Sequence, residues 1–191
     1  MKRKPTLHMA LMAVLSLATI GALIKYIIDF FHSAGKERLF NLANCILMLL
    51  VVEMLITGFV YLFQGCSKQA ASYYKAFLYT HIGVCVLTIV IDLGFYTLNG
   101  LLVLISILNA CKIIVLAILA FRKDLGKQKT WGVFYVLLAL DVVKLILAVI
   151  NMAKLGFDFS FVGYVIALIA DGTIGLSIKA KYADKEARGS A

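Results

Sequence analysis

Six apolar blocks, each about 20 residues long, dominate this chain and leave it few folds to choose from. They run at about 8–31, 40–63, 75–98, 101–121, 131–153 and 160–178. A helix of about 20 apolar residues crosses a hydrocarbon core about 30 Å thick. The expected fold is therefore all-α: a polytopic integral membrane protein, a bundle of six transmembrane helices forming one transmembrane domain over residues 1–191. Composition agrees. The chain is 63% hydrophobic and 15% charged, with one proline, whereas a soluble domain carries roughly a quarter charged residues. The run that follows Lys2, Arg3 and Lys4 continues to Phe31, past the length of a signal peptide, so it reads as an uncleaved first span.

Polar breaks separate the spans: His32 to Arg38, Gln64 to Ser72, Asn99-Gly100, Arg122 to Thr130, and Lys154 to Asp158. Asn-Gly is a tight-turn pair, which predicts a close hairpin of spans three and four. Lys and Arg number three at the N-terminus, two around the second break, four in the fourth and four at the C-terminus. That makes 13 on one side of a six-span chain, against Lys36, Arg38 and Lys154 on the other. Short cytoplasmic loops carry the excess of positive charge, so both termini are expected in the cytoplasm and the chain in the plasma (inner) membrane. The net charge of +9 belongs to those loops, and no nucleic-acid partner is expected. Aromatic residues near the span ends, among them Tyr73, Tyr74, Trp131, Phe95, Tyr96, Phe157 and Phe159, form ordinary interfacial belts.

The four cysteines, Cys45, Cys66, Cys85 and Cys111, lie far apart with no CxxC pair. Three fall within apolar blocks, where a thiol acts as a small hydrophobe. Cys66 lies in a predicted cytoplasmic loop and should be reduced. Neither a disulfide framework nor a metal site is indicated, and no cofactor is expected.

Ionisable residues inside the spans carry the most information, because a charge near a helix centre is costly and normally turns toward the bundle interior. Span three holds His81, Cys85, Thr88, Asp92 and Tyr96 at steps of three and four, one stripe of a helix. Span two holds Glu53, Thr57 and Tyr61; span four Asn109 and Lys112; span five Asp141, Lys144, Ala148 and Asn151; span six Asp171. Span midpoints put Glu53, Lys112, Asp141, Lys144 and Asp171 near the midplane, His81 toward the cytoplasm, and Asp92, Lys25 and Asp29 toward the outside. Three acids then meet two bases at mid-depth. The unmatched acid is expected to be protonated, to bind a cation or to meet a positively charged group. The bland alternative is a structural Asp141–Lys144 pair, with Lys112 neutralising another acid across the bundle. For His81 alone, a hydrogen-bonded core histidine is the simpler reading, and Lys25 with Asp29 reads as a snorkelling interfacial pair.

Small residues form two seams, Ala18, Gly21 and Ala22 in span one and Gly163, Ala167 and Gly175 in span six, where helix backbones can approach closely. Asn109-Ala-Cys-Lys112 resembles Asp141-Val-Val-Lys144, 32 residues later. Inverted repeats of that kind occur in transporters, although so small an apolar alphabet makes chance similarity the better account.

No HExxH, phosphate loop, GxSxG or GxGxxG is present. Asp171-Gly172 matches only the opening of the CDP-alcohol phosphotransferase signature, and the further acids do not follow. No catalytic residue is assigned, and an enzyme is the less favoured class. In length, span number, inside termini and the pair Ala18-x-x-x-Ala22, the chain resembles the substrate-binding S components of energy-coupling-factor vitamin transporters. The resemblance covers the architecture and that one motif, and it implies that the motif contacts a transport partner.

Three readings follow. The first is a small-solute transporter or membrane-embedded solute-binding subunit, whose substrate or ion site draws on Glu53, His81, Asp92, Asn109, Lys112, Asp141, Lys144 and Asp171. Its partners would be the lipid bilayer, a small solute or proton, and a membrane partner subunit or homo-oligomer. The second is a non-catalytic interaction, assembly or regulatory subunit that uses the small-residue seams. The third is an intramembrane lipid-modifying enzyme, which needs acids near an interface, whereas most acids here are deep.

Overall fold

A computed structural model describes residues 7–64, 69–96, 100–121, 128–155 and 160–189. Among the described residues the chain is all-helical: α1 (Leu7–His32), α2 (Gly35–Gln64), α3 (Ala70–Phe95), α4 (Gly100–Phe121), α5 (Gln128–Leu155) and α6 (Ser160–Gly189). Each is long and apolar enough to cross a membrane. Even the shortest, α4 with 22 residues, is about 33 Å long at 1.5 Å per residue. Lys2, Arg3 and Lys4, Cys66 and Lys68, Asn99, the basic run from Arg122 to Lys127, and Phe157 to Phe159 lie outside the described residues.

The six helices match the six apolar blocks, but several run further than the blocks do. Lys36, Glu37 and Arg38 belong to the first turns of α2 rather than to a loop. Lys, Glu and Arg are good helix formers, and Glu37 suits the positive end of the helix dipole. At the other end α6 continues to Gly189, through a tail rich in Ala, Lys and Glu that has every local reason to stay helical. The turn between α1 and α2 is thus only Ser33 and Ala34, with Gly35 opening α2 at φ +57°, a left-handed conformation that favours glycine. Asn41 Nδ2 donates to Ser33 Oγ at 3.1 Å and Ser33 Oγ donates to the Phe30 carbonyl at 3.4 Å, which ties the turn to α2.

The helices group into two compact units, Met1–Ile113 and Ile114–Ala191. In the first, α2 packs against α1 on one side and α3 on the other. Gly58 is the close-approach point: a Cβ there would meet Met12 Cε at 2.5 Å and Phe77 Cδ2 at 3.1 Å. Along the α2–α3 seam Tyr61 lies against Tyr74 with the rings tilted at 47° and centroids 5.5 Å apart, and Phe40 meets Phe95 and Tyr96 edge-on. Met54, Leu55, Phe77 and Leu78 fill the space between. The outward faces are apolar, as Leu7, Val14, Leu17, Ile24 and Phe31 on α1 illustrate.

In the second unit α5 packs antiparallel on α6. Gly175 lets α6 close on Phe134, whose Cβ lies 3.1 Å from where a Gly175 side chain would begin, and Gly172 sits against Leu138. Leu137, Ala148, Ala170, Ile174 and Ile178 are buried, as are Leu116 and Leu119 on the part of α4 that belongs to this unit.

Candidate functional site

The second unit holds a deeply buried ion pair. Asp141 and Lys144 lie three residues apart on α5, hence on one face, and the Lys144 ammonium stands 3.0 Å from Asp141 Oδ1. Their side chains are 0% and 2% exposed. From α6, the Tyr164 ring faces Lys144 Nζ at 5.7 Å from its centroid, a cation–π distance. Asp171 of α6 is also fully buried. The contacts of Gly175 with Phe134 and Gly172 with Leu138 fix the antiparallel register. Asp171 therefore comes level with residues just before Asp141, within one helical turn along the axis. Two carboxylates, an ammonium and a phenol ring thus share the middle of one helix pair, with Phe134, Leu137 and Ala148 closing α5 around them. A carboxylate accepts hydrogen bonds and binds cations, and an ammonium donates three bonds.

In the first unit the remaining candidates separate into buried and exposed groups. On α3, His81 is 1% exposed and packs its ring edge-on against Phe77, centroids 5.7 Å apart. Asp92 is buried about three helical turns further along α3. On α4, Ser106, Asn109 and Lys112 are buried at steps of three, with Lys112 at 0%.

Glu53 differs. The structure turns it to the outer surface of α2, so it does not share the interior with the other acids. The stripe Glu53, Thr57, Tyr61 explains why. At about 100° per residue each four-residue step advances 40° around the helix. Tyr61 therefore points inward, Thr57 is half-buried and Glu53 is exposed.

The same drift acts on the small-residue seams. In α6 Gly175 lies against Phe134 of α5, whereas Ala167 is half-buried and Gly163 is exposed, with nothing within 4 Å of an added Cβ at Gly163. On α1, Ala18 and Gly21 are exposed and Ala22 is half-buried, and Gly21 likewise has open space around it.

Two residues escaped the sequence reading. Asn41 and Asn44 are buried on α2. The Phe40–Phe95 contact brings them level with Asp92. Their three-residue spacing, in phase with Val51, Leu55, Gly58 and Leu62, was the available signal. Asn44 Nδ2 donates to the Phe40 carbonyl at 2.9 Å.

Among the described residues no three His, Cys, Asp or Glu side chains gather as metal ligands would. No protein-family model matches the chain, and neither does any curated protein or solved structure.

Proposed function

We propose that this chain is a multi-pass protein of the plasma (inner) membrane, with both termini in the cytoplasm, that serves as a small-solute transporter or a membrane-embedded solute-binding subunit. Apolar outward faces on helices of spanning length support insertion, since a soluble protein rarely exposes apolar patches of this extent. The excess of Lys and Arg on one side supports the orientation.

The observation that carries the functional reading is the buried set Asp141, Lys144 and Asp171 in the α5–α6 pair. Ionisable groups are expensive inside a membrane and mark solute or ion paths by default. The carboxylates of Asp141 and Asp171 can accept hydrogen bonds from a cationic or hydrogen-bond-donating solute. Within the first unit His81, Asp92, Asn109 and Lys112 are further buried polar groups.

Binding or uptake by the protein reconstituted in vesicles tests the reading. Asp171→Asn should abolish solute binding or transport while leaving the helical far-ultraviolet spectrum and membrane insertion intact. Transport at the wild-type rate in that variant would sink the proposal.

A second reading, a non-catalytic interaction subunit, is favoured by the exposed Ala18 and Gly21 on α1. Ala18→Gln should then dissociate a co-purified membrane partner without unfolding the chain. A complex unaffected by that change counts against the reading.

A further inference from the structure

Of the five ionisable residues near span midpoints, Lys112, Asp141, Lys144 and Asp171 are buried, two acids and two bases. Glu53 is the fifth, and it faces outward. It lies 11 residues from the Gln64 end of α2, about 16 Å along the helix and so about halfway through a hydrocarbon core. Ile46, Leu49, Ile56 and Phe63, each about half exposed, share its face, at three- and four-residue steps that continue through Val60. The pattern is that of a helix-docking seam with one polar residue at its centre.

Nothing described in the chain pairs with that carboxylate. Thr57 Oγ1 bonds only to the backbone carbonyls of Glu53 and Met54. The contacts of Gly58 place Leu17 of α1 and Ile82 of α3 at the level of Glu53. The ionisable group nearest to that level on α3 is His81, which is buried against Phe77. On α1 it is Lys25, two turns away and already joined to Asp29 at 2.6 Å.

We propose that this outer face of α2 docks a membrane helix of another protein that carries a lysine or arginine near its own midpoint, whose base closes an ion pair with Glu53. The inference rests on the membrane reading and goes beyond the solute site. A second copy of this chain is the poorer occupant: a two-fold contact uses the same patch on both subunits, which would set Glu53 against Glu53.

The test uses the full chain in phosphatidylcholine vesicles, first washed at alkaline pH, with fluorescent leucine-rich transmembrane peptides that hold lysine, leucine or glutamate at the centre. Energy transfer between chain and peptide reports association. The lysine peptide should bind about tenfold more tightly than the leucine peptide, the size of a good interhelical polar contact. The glutamate peptide should not bind. Glu53→Gln, an isosteric change on the outer surface, should bring the lysine peptide down to the leucine level. Equal binding of the lysine and leucine peptides, no loss in Glu53→Gln, or Glu53-dependent self-association of the chain would each overturn the proposal alone. Loss of the chain from the washed vesicles would overturn the membrane reading itself, and the proposal with it.

Discussion

Two ion pairs of the same chemistry lie in this chain under opposite conditions. Lys25 and Asp29 on α1 are 2.6 Å apart and exposed by 58% and 39%; Lys144 and Asp141 on α5 are 3.0 Å apart and almost fully enclosed. The exposed pair sits within two turns of the α1 end at His32, where, on the membrane reading proposed above, a lysine can reach the interface along its own aliphatic stem. The enclosed pair lies midway along its helix, out of reach of either end. Exposed i,i+4 pairs contribute little. A buried pair contributes little net stability as a whole, because desolvation offsets attraction, yet breaking it leaves an uncompensated charge. The lesson is that an Asp/Lys step of three or four residues says nothing of importance until burial is known.

That contrast yields a ranked set of expectations. The largest effect should come from Lys144→Ala or Asp141→Ala, which ought to destabilise the folded protein by about 3–5 kcal/mol, as measured by denaturant unfolding in micelles. The double variant Asp141→Leu with Lys144→Met should recover most of that loss. If single removals cost under about 1 kcal/mol, the pair is more hydrated than its enclosure implies and the comparison breaks.

Next come the two glycines that end the α6 seam. Gly175→Val should cost about 1–3 kcal/mol by overpacking, because Phe134 already stands against that position. Gly163→Val should cost almost nothing, since its surroundings are open. Comparable losses at both would mean that the whole seam is packed.

Gly35→Ala should cost about 1 kcal/mol, because alanine at φ +57° is strained in the left-handed region. Thermal unfolding of this variant sharpens the comparison by giving a local backbone effect that involves no charge. The smallest effect belongs to the exposed pair. Lys25→Gln or Asp29→Asn should change stability by less than about 0.5 kcal/mol. A loss above about 1 kcal/mol would show that something covers the α1 face.

The number of helices was legible because an apolar block of about 20 residues has few alternatives. Their ends were less so. Hydropathy marks only the apolar stretch, but the helices continue past it through Lys36 to Arg38 and through the α6 tail. Burial was legible where polar residues alternate three- and four-residue steps, as His81, Cys85 and Asp92 do, or stand three apart, as Asp141 and Lys144 do. It was not where steps of four repeat, as from Glu53 to Tyr61 or Gly163 to Gly175, because the helix has then turned by about 80–120°. Asn41 and Asn44 stand near the start of an apolar block, where polar residues are ordinary. Only their phase with Val51 and Leu55 marks them as buried, and that phase needs the packing partner α3 to be recognised.

On the proposed function, the enclosed charges of α5 and α6 bind a solute rather than merely rivet two helices. The direct measurement is a thermal-shift screen of the detergent-purified protein against vitamins, amino acids, nucleosides and cations. The Asp141→Leu, Lys144→Met double variant serves as a folded control. A ligand at a hundred times its dissociation constant should stabilise the protein by about 2.7 kcal/mol. The account predicts a stabilising solute in the wild-type protein and no shift in the double variant. A shift of equal size in both, or a well-folded wild-type protein that no solute stabilises, would contradict it.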